Sequence, residues 1–150
     1  MILKINHKSN INSIKVFELF QSSYIVEARI LNAINFPPLQ RSVYDIRNSN
    51  TIFYSYLVKE LFVSVIEIKK HKNYIHIQSL VVHPHFFRKG IASKMIDFII
   101  SSYKTKYFTI ETGVDNYPAR NLYEKLNFLE VKQWDTSHGI RKVQYKLNFL

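Results

Sequence analysis

Two stretches of this chain hold residue types at spacings that chemistry can use. The first is Val82-His83-Pro84-His85-Phe86-Phe87-Arg88-Lys89-Gly90-Ile91-Ala92. A basic turn that closes on glycine and opens a helix presents outward-pointing N–H groups in a positive field, which is an anion site. Gly90 removes the side chain that would hold a phosphate off the backbone, and small Ala92 keeps the first helical turn slim. Only three glycines occur, Gly90, Gly113 and Gly139, so each marks a backbone requirement. Taken alone, this segment also fits a plain strand-to-helix turn. The second stretch runs from Glu111 to Phe128 and carries a carboxylate, a carboxamide and a phenol at Glu111, Asn116 and Tyr123. A phenol with a pKa near ~10 can protonate a leaving thiolate, and a carboxylate can relieve an ammonium of its proton. Three plainer roles stand beside these: Tyr123 as a core aromatic, Glu111 as a solvated carboxylate and Asn116 as a helix cap.

These residues have to be positioned by a fold. Residues 51–58, 61–68 and 74–82 are rich in β-branched and aromatic types and are separated by polar turns at Lys59-Glu60 and at Lys69–Asn73. That pattern predicts an antiparallel meander. From Lys89 to Tyr103 the apolar positions Ile91, Ala92, Met95, Ile96, Ile99 and Ile100 follow a helical period. Residues 106–112 read as a strand and 117–127 as a helix with Pro118 in its first turn. Residues 128–134 and 140–149 then form a last strand pair. Strand 74–82, helix 89–103 and strand 106–112 make a βαβ unit with a right-handed crossover and parallel strands. Ligands of such open sheets bind beyond the carboxyl ends of the parallel strands, where both chemical stretches fall.

Upstream, residues 1–7 read as an edge strand. Asn10 or Asn12 is expected to cap a helix bearing Ile14, Phe17 and Phe20, and Ser22 or Ser23 a second bearing Ile25, Ala28 and Leu31. Phe36-Pro37-Pro38-Leu39 ends that region as a stiff apolar loop. No linker, repeat or low-complexity tract interrupts the chain, so residues 1–150 are expected to form one domain.

Bulk composition narrows the function. The 150 residues are 47% hydrophobic and contain no Cys, which excludes disulfides, thiolate metal sites and a cysteine-linked acyl enzyme. His83 and His85 flank a proline without a carboxylate at ligand spacing, so no metal is expected. The N-terminus lacks a secretory core and no run is long enough to span a membrane, which fits a cytoplasmic protein. The formal charge of +10 suggests nucleic acid. However, its fifteen lysines and six arginines are scattered rather than striped along one helix, and the Lys69–Lys72 run reads as a solvated turn. A positive field also attracts an anionic cofactor.

The chain resembles the GNAT superfamily of acyl-CoA-dependent N-acetyltransferases. That family's pyrophosphate signature is Gln or Arg, two residues, Gly, one residue, then Gly or Ala. Gly90 and Ala92 set the register, and Phe87 stands where Gln or Arg is usual. The second block, from Asn116 through Ala119, Leu122, Tyr123, Glu124 and Lys125 to Phe128, is similar to the family's Asn-x-x-Ala-x-x-Leu-Tyr-Glu-Lys-x-Gly-Phe pattern, with Asn127 in place of the last glycine. The spacing of Glu111, Asn116 and Tyr123 is similar to that of the ribosomal-protein alanine N-acetyltransferase branch. The resemblance implies an α+β fold with a mixed, largely antiparallel sheet of about seven strands, a central parallel βαβ unit and helices on both faces. It implies acetyl-CoA as acetyl donor, transferred directly to a primary amine of a small molecule or peptide, with Tyr123 as general acid and Glu111 as general base. Cofactor contacts are implied at Leu80, Val81, Val82, Phe87, Arg88, Lys89, Gly90, Ile91, Ala92, Asn116, Asn121 and Tyr123. An internal strand covered on both faces would desolvate Glu111 and raise its pKa. Acceptor contacts are expected from Glu27, Tyr24, the Phe36 loop and His83, with Trp134 and His138 on the other side. Homodimers are common among relatives. Two further readings stand: an acyl-CoA sensor without turnover, prompted by Phe87, and a basic nucleic-acid-binding module.

Overall fold

A computed structural model describes residues 1–149. The elements are β1 (Ile2–Ile5), α1 (Asn10–Ile30), α2 (Pro37–Gln40), α3 (Val43–Arg47), β2 (Ile52–Val58), β3 (Leu61–Lys70), β4 (Tyr74–Val82), a 3-10 turn (Pro84–Phe86), α4 (Ile91–Ser102), β5 (Tyr107–Gly113), α5 (Tyr117–Lys125), β6 (Leu129–Asp135) and β7 (Arg141–Asn148). One seven-stranded sheet has the order β1-β2-β3-β4-β5-β7-β6. All neighbours are antiparallel except β4 and β5. The predicted mixed sheet with one parallel βαβ unit is the architecture found.

Each sheet face carries its own core. Ile66, Ile68, Ile75, Ile77, Phe108 and Ile110 meet Ile91, Met95, Ile96 and Ile99 of α4 on one face. Phe53, Val65 and Val81 meet Val16, Leu19, Phe20, Tyr24 and Ala28 of α1 on the other. A strand alternates its side chains, so Ile75, Ile77, Ser79 and Val81 would all share one face unless the alternation slips. It does slip. Glu67 pairs with Ser79 and Ile68 with Ile77, which leaves Gln78 as an extra, unpaired residue. Ile75 and Ile77 therefore face α4, while Ser79 and Val81 face α1.

The same point ends the parallel pairing. Register between β4 and β5 runs from Tyr74↔Tyr107 to Ile77↔Ile110 and stops, although β4 continues to Val82 and β5 to Gly113. Beyond Ile77 the two strands part, and β4 is paired only with β3. The parting opens the sheet at the carboxyl ends of its parallel strands.

The N-terminal half departs from expectation. One 21-residue helix replaces the two anticipated, and Ser9, not Asn10 or Asn12, caps it by accepting from Asn12 N–H at 3.1 Å. Ser22 and Ser23 lie mid-helix, where Ser22 Oγ satisfies itself on the Glu18 carbonyl at 3.0 Å. The buried stripe is Val16, Phe20, Tyr24 and Ala28, spaced four apart, while Ile14 and Ile25 are exposed. The Phe36-Pro37-Pro38-Leu39 segment turns helical at Pro37 because proline suits a first turn. Ser42 and Asp45 form a capping box that starts the unanticipated α3. Lys69 and Lys70 extend β3 rather than turning. Among the described residues, no helix is long and apolar enough to cross a membrane.

One buried charge ties these parts together. Glu67 is fully buried, and Arg41 donates to both its oxygens at 2.6 and 2.8 Å. Thr51 and Ser79 donate at 2.6 and 2.9 Å. Burial opposes ionisation, but Arg41 and these hydroxyls hold the carboxyl below its usual range. Arg41→Ala leaves that charge without its partner and should cost about 3 kcal/mol at neutral pH. Glu67's pKa is lowered by folding, so its contribution is present above the carboxylate range and lost as pH falls. The variant's deficit should therefore shrink in acid; urea unfolding at neutral and acidic pH checks both points, and a pH-independent deficit would contradict the assignment.

Candidate active site

Opening the sheet exposes two clefts that meet. The first, about 470 Å³, lies between α1, the end of β4, the start of α4 and α5, and is lined by Val82, Phe87, Arg88, Gly90, Ala92 and Asn116 among others. The second, about 520 Å³, lies between α1, α2, β4 and β5, with Phe36, Arg41, Ser79, Glu111, His138 and Lys142 on its walls. Glu27, Leu80 and Tyr123 line both.

The first cleft ends at the turn before α4. Arg88 and Gly90 both adopt left-handed backbone, with φ of 61° and 74°. A Cβ placed on Gly90 would meet nothing within 4 Å, so the glycine serves conformation and open space rather than close packing. Alternation of left-handed with ordinary residues gathers successive N–H groups into an anion-binding concavity. The hydrogen-bond pattern agrees: Phe87 N–H donates to the Pro84 carbonyl and Lys94 N–H to that of Gly90. The six amides from Arg88 to Ser93 between them find no acceptor among the described residues. Phe87 is 40% exposed at the cleft wall. Lys89 lines neither cleft; its ammonium lies over the Phe86 ring at 5.3 Å. Val81 points its side chain into the α1-side core, but Leu80 and Val82 line the cleft.

Tyr123 is buried between Phe128 and Tyr145 on α5, yet its hydroxyl makes no hydrogen bond and is not sealed off. Burial, then the neighbouring Glu27, push its pKa well above the usual phenol value, so it stays protonated at neutral pH. Asn116 caps α5, accepting from Ala119 N–H at 3.4 Å, and its amide donates to Glu27 Oε1 at 2.9 Å and Thr112 Oγ1 at 3.0 Å. It therefore fills the capping role while also lining the first cleft. Asn121 is exposed and lines neither cleft, because its position on α5 faces away from Tyr123.

Glu111 lies on the wall of the second cleft, bound by Lys142 Nζ at 3.3 Å and Gln144 Nε2 at 3.2 Å. The expectation that both faces of β5 are covered does not hold: this face is open, and the carboxylate side chain is 24% exposed. Glu27 is the carboxylate at the junction. Burial raises its pKa, Lys142 and Asn116 pull it back, and the result is about 7. Tyr24, Phe36 and His138 line the second cleft as anticipated. His83 lines neither cleft, since its Nδ1 is occupied in accepting from His85 N–H at 3.1 Å, and Trp134 is likewise absent from both walls. Sequence reasoning missed Arg41, Ser79 and Lys142. A signal for the first existed: Glu67 is the only charge within the apolar run 61–68 and demanded a buried partner.

A splayed parallel pair with a free-amide turn beyond it defines the GNAT class of acyltransferases. Residues 29–149 match the model of the acetyltransferase (GNAT) domain, and the chain belongs to that family. It is 30% identical over 141 residues to UPF0157 protein YqkA of Bacillus subtilis (strain 168), covering 93% of this chain and 41% of that protein. It is 43% identical over 61 residues to an N-alpha-acetyltransferase of Saccharolobus solfataricus, covering 38% of this chain and 36% of that one. The chain spans about two fifths of the length of the curated relatives it matches. Among solved structures, the ribosomal-protein-S18-alanine N-acetyltransferase from Escherichia coli superposes with a TM-score of 0.75 at 13% identity, over 99% of this chain and 92% of that one. The protein smu.2055 from Streptococcus mutans UA159 gives 0.80 at 16%, over 99% and 98%. A chain of the NatC complex bound to Gag peptide and CoA gives 0.70 at 18%, over 100% and 98%. These likenesses are of fold.

Because folding raises the pKa of Glu27 from 4.5 to about 7, ionising it in the native state costs stability as pH rises through that window. Glu27→Gln should therefore gain thermal stability relative to the parent chain at pH 8 compared with pH 5. An equal difference at both pH values would contradict the shifted carboxyl.

Proposed function

We propose that residues 1–150 act as one domain that transfers acetyl from acetyl-CoA directly to a primary amine. The observation that carries this reading is the run of six unsatisfied amides at Arg88–Ser93 opening onto a cleft that meets a second one at Tyr123. The residues fit the cofactor on physical grounds: amides at a helix start suit a diphosphate. The unpaired edge of β4 from Gln78 to Val82 offers backbone partners to an amide-bearing arm. Bound there, acetyl-CoA supplies an activated acetyl thioester. Phe87 replaces a polar contact with a ring, leaving the hold on the diphosphate to backbone amides, Arg88 and the helix dipole.

The acceptor amine enters by the second cleft. Glu27 takes a proton from the acceptor ammonium, freeing the nitrogen lone pair for the thioester carbonyl carbon. As the carbon–nitrogen bond forms and the carbon–sulfur bond breaks, Tyr123 gives its phenolic proton to the departing sulfur. The proton released by the nitrogen restores the phenol. Glu27 is favoured over Glu111 for the first step because it lines both clefts and its pKa of about 7 suits proton transfer at neutral pH. Glu111, held by Lys142, shapes the acceptor wall in this reading.

Thiol release from acetyl-CoA with pooled amines, followed by mass analysis of the products, tests the activity and names the acceptor. Tight CoA binding without turnover on any amine would favour the sensor reading that Phe87 prompts. Tyr123→Phe should lower turnover roughly 100-fold with acetyl-CoA affinity nearly unchanged; undiminished turnover would remove the acid role. Gly90→Glu should abolish cofactor binding through bulk, charge and left-handed strain. The acceptor kcat/KM should rise with pH through about 7 as Glu27 loses its proton. Glu27→Gln should erase that limb; if Glu111→Gln erases it instead, the base assignment moves to Glu111.

A further inference from the structure

Lysines that are scattered along the chain are gathered by the fold at the end of the sheet opposite the clefts. β3 ends, and β4 and β5 begin, at this end. Lys69 and Lys70 close β3, Lys72 sits in the β3–β4 turn, Lys104 and Lys106 lead into β5, and Lys146 lies on β7 opposite Thr109. The turn and the β5 approach are pinned to one another: Lys106 N–H and Thr105 Oγ1 both donate to the Asn73 carbonyl, at 3.1 and 3.0 Å. Segments 69–76, 103–107 and 146–149 contain no Asp or Glu. None of the six lysines takes part in the ion pairs found among the described residues. All but Lys146 are exposed. More than half of the formal net charge of +10 thus sits uncompensated on one end.

Aromatic rings are set into this field. His71 stacks on Tyr74 at 4.3 Å and 8°, Tyr74 stacks on Tyr107 at 4.9 Å and 3°, and Lys146 Nζ covers Tyr107 at 4.0 Å. The ladder comes from the parallel register, which puts Tyr74 directly beside Tyr107. Its outer rung is the exposed His71. A planar group laid on that ring would continue a stack whose geometry already exists, on a turn that Lys70 and Lys72 flank in sequence.

We infer that this end of the sheet binds single-stranded nucleic acid, with phosphates on the lysines and an unpaired base continuing the His71–Tyr74–Tyr107 stack. An acidic polypeptide would engage the lysines alone and leave the ring unused. A duplex would keep its bases out of reach. The surface is remote from both clefts and stands independently of the proposed catalysis.

Fluorescence anisotropy with a labelled oligouridylate of about a dozen nucleotides tests it. Binding is expected at low salt, with log affinity falling against log salt at a slope of about −4 if six phosphates are neutralised. The triple variant Lys72→Glu, Lys104→Glu, Lys106→Glu should lose at least tenfold in affinity, while its thermal midpoint and response to acetyl-CoA stay those of the parent. His71→Ala should lose a few-fold. No affinity at low salt, undiminished binding by the charge-reversed protein, or equal or tighter binding of polyglutamate or of the matching duplex would each overturn the inference.

Discussion

The structure depends on one extra residue in β4. Gln78 has no partner in β3, and from that point the strand turns its opposite face to each core. A continuous parallel pair would have satisfied the edge of β4 down to Val82 and closed the sheet. The slip instead lets β4 follow β3 while β5 follows β7, and the space between them becomes the two clefts. Both cores contribute: α4 holds Ile75 and Ile77 before the bulge, and α1 holds Val81 after it. Neither helix could be removed without the parting losing one of its walls.

The carboxylates around this opening are sorted by their partners. Glu67 is fully committed to Arg41 and a ring of hydroxyls, and it pins α2 and α3 against β3. Glu111 is shared with Lys142 and Gln144 on the wall of the second cleft. Glu27 accepts from the amide of Asn116 and feels Lys142 without forming an ion pair with it, so burial dominates and its proton is held more tightly. Glu67 and Glu27 therefore shift in opposite directions, the first held low by its bidentate Arg41 and the second raised by burial. The raised one, Glu27, sits where the clefts meet.

Much of this was legible in the chain. The β-rich runs at 74–82 and 106–112, the helical period from Lys89, and the glycine within its start are local signals, and β4, β5 and α4 form within a residue or two of them. The turn before α4 and Tyr123 could be singled out because the signals that mark them are near neighbours in sequence. The N-terminal helix differs from expectation because Ile14 and Ile25 suggest stripes that the fold leaves in solvent, while the buried stripe joins Val16 and Tyr24 to the anticipated Phe20 and Ala28. Asn121 and His83 were misplaced because helix phase and a turn hydrogen bond, invisible in composition, aim them away.

The sequence by itself determined the elements from β2 onward, the mixed sheet and the glycine turn before α4, since periodicity and glycine placement act over a few residues. Tertiary structure alone decided which carboxylate stands at the junction, because Glu27 reaches Asn116 across 89 positions of chain. It also decided that lysines spread from Lys69 to Lys146 share one surface. Burial and Coulomb interaction depend on distance in space, and only the folded chain defines that distance.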